Sequence, residues 1–148
     1  MQKVKEIMTR KVICVSPDTM VTEAAKLLLD NRINGLPVVD EKGSLVGIIC
    51  QSDLIAQQKK FPVPSLFTIL DGFIPFKTLK NVEKEVEKIS ATKVSQAMTA
   101  NPVTLTPETA VEDATSLMID RHFHTLPVVE SGKLIGIIGK IDILKIVF

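Results

Sequence analysis

The chain repeats itself, and that constrains its fold more than any other feature. Displaced by 90 positions, Val4, Met8, Thr9, Pro17, Thr19, Val21, Ala24, Leu27, Asp30, Leu36, Pro37, Val38 and Val39 fall on identical residues. After a one-residue deletion near position 131, Gly43, Leu45, Gly47, Ile48, Ile49 and Asp53 fall on Gly132, Leu134, Gly136, Ile137, Ile138 and Asp142. Collinear identities of this kind mark a duplication. The units are 1–56 and 94–148, with repeat cores near 4–56 and 94–146, and residues 57–93 form an insert between them. A unit of roughly 55 residues builds only a marginal core by itself, so the two are expected to pack sheet to sheet.

Each unit reads as strand, helix, strand, strand, helix. "VICV" and "VTL" are short β-rich runs ahead of a Ser/Thr-Pro breaker. Val21, Ala24, Ala25 and Leu28 recur at helical spacing, as do Val111, Ala114, Thr115 and Met118. Thr109 and Glu112 form the S/T-x-x-E pattern of a helix start, whereas Thr19 is followed by Thr22, a weaker cap. "LPVV" and "LVGII" predict two strands joined by "DEKGS", and "ESGK" joins the second pair, with glycine supplying a positive φ at each turn. A last helix is expected to open at Ser52-Asp53 and at Asp142. The fold class is therefore α+β.

Composition narrows the function. A net charge of +1 among 148 residues gives no broad basic field for nucleic acid. No apolar run approaches a membrane span, and "MQKVKEIMTRKV" lacks the apolar core of a secretory leader. Cys14 and Cys50 stand singly in aliphatic runs, without the close partners of a zinc or redox pair. They read as small core hydrophobes of a cytoplasmic protein. "GKLIGIIGKID" is no P-loop, because its glycine spacing is wrong and Ile141 rather than Ser or Thr follows Lys140.

The unit resembles the CBS domain, named after cystathionine β-synthase. The residues that carry the resemblance are "IMT" and "AMT", "VSPDTMVTEA" and "LTPETAVEDA", "NGLPVVDEKGSLVGIICQSDL" and "HTLPVVESGKLIGIIGKIDI". The chain looks like a tandem CBS pair, two β-α-β-β-α units related by a pseudo-twofold. The resemblance implies a regulatory module rather than an enzyme. Such a module needs no cofactor and binds an adenine nucleotide (AMP, ADP or ATP) or S-adenosylmethionine in two clefts between the units. It also implies a homodimer. No effector domain is visible, so an effector protein is expected as a partner. Membrane and nucleic acid are not.

By the same resemblance one cleft combines Thr99, Val103, His124, Ile48 and Asp53, with Ser52 beside it. The other combines Thr9, Ile13, Asn34, Ile137 and Asp142. The aspartates match the family's ribose-binding position, where a carboxylate accepts both hydroxyls of the diol. An aspartate at a helix start is otherwise only a cap. Cys50 and Gly139 stand where the family often has a hydroxyl, which leaves open a scaffold with degenerate, empty clefts. The Asp53 cleft, with His124 and Ser52, is expected to be the better anion site. The other has no arginine in the usual phosphate-facing positions, which argues against tight triphosphate binding there. His122 and His124 lack a third ligand for zinc and read as a surface or phosphate-facing pair. His124 has no nucleophile or acid partner to make it a general base.

The insert holds "FPVPSLFTILDGFIPF" (61–76), expected as a loop over the core or a dimer contact. Leu79, Val82, Val86 and Ile89 follow with the spacing of a solvated amphipathic helix.

Overall fold

The computed structural model describes residues 1–60 and 92–147. The expected loop at 61–76 and helix at 79–89 lie outside the described residues. A short helix α1 (Val4–Ile7) leads to α2 (Val21–Asn31), strands β1 (Gly35–Val39) and β2 (Leu45–Cys50), and helix α3 (Gln51–Lys60). The second repeat runs α4 (Val94–Ala97), β3 (Thr99–Ala100), α5 (Val111–Asp120), β4 (Thr125–Glu130), β5 (Lys133–Gly139) and α6 (Lys140–Val147).

The two hairpins are built alike. β1 pairs antiparallel with β2 and β4 with β5, and each ladder slips register between its two adjacent valines, Val38/Val39 and Val128/Val129. Gly43 and Gly132 turn the hairpins at φ 80° and 78°, a region that residues with a Cβ rarely enter. The tips then meet each other: Leu45 N–H donates to Gly132 O and Leu134 N–H to Gly43 O, both at 3.3 Å.

The expected first strands shrink to single parallel bridges, Val15 with Val38 and Leu105 with Val128. Only Val15 of "VICV" is buried; Cys14 is exposed and Cys50 half-buried, which corrects the expectation of two core cysteines. The capping box at Thr109–Glu112 is likewise not formed. The Thr109 hydroxyl accepts from Thr106 N–H at 3.0 Å, as the Thr19 hydroxyl does from Ser16 N–H at 3.1 Å. The Pro turn before each helix thus consumes the hydroxyl, and α5 starts from Ala110 without a side-chain cap.

The repeats exchange their first segments. Val4 and Met8 lie in one core with Leu105, Ala114, Met118, Leu126, Val128 and Ile138, all from the second repeat. Val94 conversely joins Val15, Val21, Ala24, Leu28, Leu36, Val38 and Ile49 of the first. Val4 and Val94 are both fully buried. Backbone bonds anchor the exchange: Val4 N–H to Thr109 O at 2.8 Å and Val94 N–H to Thr19 O at 2.7 Å. Two glycines open the way for the methionines that follow. A Cβ on Gly47 would stand 2.5 Å from Met98 Sδ, and one on Gly136 at 2.5 Å from Met8 Sδ. Each exchanged segment then adds to the other repeat's sheet, Thr99 opposite Ile48 and Thr9 opposite Ile137.

Candidate ligand cleft

The exchange lays Thr9 and Thr99 against the last helix of the opposite repeat. Asp142 is the third residue of α6, not its opening residue, and Asp53 is the third of α3. From that position the carboxylate reaches back to the residue before the helix. Asp142 Oδ2 accepts from Gly139 N–H at 2.7 Å, and Asp53 Oδ2 from Cys50 N–H at 2.8 Å. This is the returning half of a capping box. The other oxygen accepts a hydroxyl from the exchanged segment, Thr9 Oγ1 to Asp142 Oδ1 at 3.0 Å and Thr99 Oγ1 to Asp53 Oδ1 at 3.4 Å. Cap and ligand roles do not exclude each other: a carboxylate offers about four acceptor positions, and these bonds occupy two.

A cavity of about 250 Å³ opens above Asp142. Thr9, Ile13, Asn34, Ile137 and Asp142, expected together, all line it. Thr9 and Ile137 exchange backbone bonds at 2.9 and 3.0 Å, so they present side chains rather than free amides. Asp142 is only 8% exposed, and Val12, Ile13, Ile33, Ile137 and Ile141 supply the aliphatic part of the lining. His124 also lines this cavity, beside Asn34. The family resemblance groups it with Asp53 instead. The two halves meet here, a Cβ on Gly35 lying 3.4 Å from Thr125 Cβ, so residues 34 and 124 stand at the seam.

Four cations not among the expected site residues join the lining. Lys11, Arg32, Lys140 and Lys145 all border this cavity, whereas the expectation placed the better anion site at Asp53 and, for want of an arginine, no tight triphosphate site here. The duplication held the signal, since Lys11 lies two residues after Thr9 and Lys140 and Lys145 flank Asp142. On the other side, Ile48 pairs with Thr99 in the ladder and Thr99 bonds Asp53. Val103 packs half-buried against the second core, and Ser52 is exposed on the first turn of α3. Burial, then the charge of Asp53, pushes the Cys50 thiol up to about 11, so it stands as a neutral thiol where the family often has a hydroxyl.

His122 and His124 are both exposed, and His122 adopts a left-handed φ of 56°. Among the described residues no three His, Cys, Asp or Glu side chains converge on a metal position, and no helix is long and apolar enough to cross a membrane.

Comparison with known proteins agrees with this geometry. The family model for the CBS domain matches residues 4–60 and 94–148. The chain is 36% identical to the chloroplastic CBS domain-containing protein CBSX1 of Arabidopsis thaliana over 96% of its own length, and covers 62% of that protein. It is 32% identical to the uncharacterized protein MJ1426 of Methanocaldococcus jannaschii, covering 96% of this chain and 89% of that one. It thus spans about six-tenths of the plant relative. Among solved structures, Arabidopsis CBSX2 in complex with AMP superposes with a TM-score of 0.75 at 29% identity, covering 99% of this chain and 96% of that one. The CBS pair of protein MJ0100, in complex with 5′-methylthioadenosine and S-adenosylmethionine, gives 0.69 at 25%, covering 99% and 96%. Matched over both repeats and over the exchanged fold, the chain belongs to the CBS-domain family, as a tandem pair.

Proposed function

We propose that the protein is a regulatory module that binds an adenosyl compound in the cleft above Asp142. One observation carries this reading: a buried carboxylate with acceptor positions to spare lines a cavity, partly aliphatic, formed by residues of both halves. A ribose diol supplies the two donors such a group accepts, and Ile13 and Ile137 offer apolar surface to a purine. The AMP bound by CBSX2 and the adenosyl ligands bound by MJ0100 support the same class. A ligand here touches both repeats, so it favours whichever arrangement of the halves it binds better. The output passes to an effector protein or through a homodimer.

Isothermal titration with adenosine, AMP, ATP and S-adenosylmethionine tests the reading. At least one should bind, and Asp142→Ala should weaken it about tenfold or more, the scale of one lost charge-assisted hydrogen bond. Silence from all four would leave the scaffold with empty clefts as the better account.

A further inference from the structure

The two repeats share the threonine-aspartate pair, yet the charges around it differ. Lys11, Arg32, Lys140 and Lys145 border the Asp142 cleft, and Asp142 is the one carboxylate among its described lining residues. All four cations are exposed, and no ion pair or side-chain hydrogen bond engages them among the described residues. The repeat offset carries these positions onto Asn101, His122, Gln51 and Ala56. Arg32 and His122 even share a left-handed backbone, at φ 52° and 56°, although Asn101 (φ 51°) departs from Lys11. Duplication has therefore left the Asp142 cleft with four Lys or Arg side chains and the equivalent positions of the other repeat with none.

Four unpartnered cations around one carboxylate favour a ligand that brings several negative charges. From this we infer that the Asp142 cleft is selective for a nucleoside polyphosphate, and discriminates against the sulfonium of S-adenosylmethionine and against uncharged nucleosides. The inference rests on the adenosyl reading above and specifies its ligand. Asp142 stays with the sugar, the aliphatic wall with the base, and the cations from the 9–13 segment, the end of α2 and the first turns of α6 surround the phosphates. Exposed charges contribute modestly one at a time, but four acting on one chain of phosphates should raise affinity about tenfold or more over adenosine.

Titration at low ionic strength should give affinities rising from adenosine through AMP and ADP to ATP, with S-adenosylmethionine below AMP. The spread should narrow at about 0.3 M salt, where screening acts within a few ångströms. Carrying the twin's residues across (Lys11→Asn, Arg32→His, Lys140→Gln and Lys145→Ala) should flatten the series toward the adenosine value while adenosine itself still binds. The salt series needs no variant, so it decides even if the quadruple variant folds poorly. Equal binding of adenosine and ATP, or tighter binding of S-adenosylmethionine, overturns the polyphosphate inference and leaves the adenosyl reading standing. Binding of no adenosyl compound defeats both.

Discussion

Glu108 shows how a fully exposed group comes to be perturbed without becoming a keystone. It receives Lys3 Nζ and, at 2.8 Å, Lys5 Nζ, both from the exchanged N-terminal segment. The hydrogen bond from Lys3, then that from Lys5, lowers its carboxyl from the ordinary 4.5 to about 2. The folded value lies below the unfolded one, so the pairing favours the fold fully above pH 4.5 and is lost as pH falls toward 2. Solvent screening keeps its contribution small. Carbon-detected NMR should place the Glu108 midpoint well below the ordinary 4.5 at low ionic strength. High salt, or Lys3→Gln with Lys5→Gln, should return it toward normal; an ordinary midpoint in dilute buffer would refute the tether. At this scale the sequence was a mixed guide. Aspartates 53 and 142 stood out because the repeat aligned them, whereas Lys11, Arg32, Lys140 and Lys145 escaped because their importance lies in what the twin repeat lacks. Cys14 misled for a different reason: in a run that forms only a one-residue bridge, just Val15 turns inward.

Elements were more legible than their partners. Alternation, turn glycines and helical spacing marked both hairpins and both long helices, and the structure has them. The exchange of α1 and α4 is hidden from the residue pattern by the duplication itself, and only the family resemblance pairs Thr9 with Asp142 and Thr99 with Asp53. Val4 and Val94, Met8 and Met98, Thr9 and Thr99 are identical pairs, so either segment would satisfy either core, and the pattern holds no preference. What the exchange demands of the hairpins is nevertheless specific. A Cβ on Gly47 would lie 2.9 Å from Thr99 O as well as against Met98, whereas the closest backbone atom to one on Gly136 is Thr9 O at 3.2 Å. A methionine tip swings aside cheaply; a paired strand does not. Gly47→Ala should therefore cost about 1–3 kcal/mol of overpacking, and Gly136→Ala less. Urea unfolding of the two variants checks the order, and equal losses would show that only the flexible sulfur tips had to move.

For the molecule as a whole, the exchange makes the halves one folding unit. Each core is completed by a fully buried valine delivered from the other repeat, and the hairpin tips bond across the seam. Val4→Ala empties part of the second repeat's core and Val94→Ala part of the first's. Each should cost about 1–3 kcal/mol. Were the halves independent, each variant would melt one half early and leave the other in place, giving two steps. Interlocked halves require a single transition that either variant lowers as a whole. The same logic governs the ligand. A compound bound above Asp142, as proposed, would touch Thr9 and Ile13 from one repeat and Ile137 from the other, so its binding energy would stabilise the whole fold. At about a hundred times its Kd it should add roughly 2.7 kcal/mol, which for a chain of this size raises the midpoint by several degrees. Calorimetry on the wild type and both valine variants, with and without ATP, tests these statements together. One peak that moves intact supports the interlock; a peak that splits, with ATP displacing only one part, shows the halves to be separable and the exchange a detail of packing.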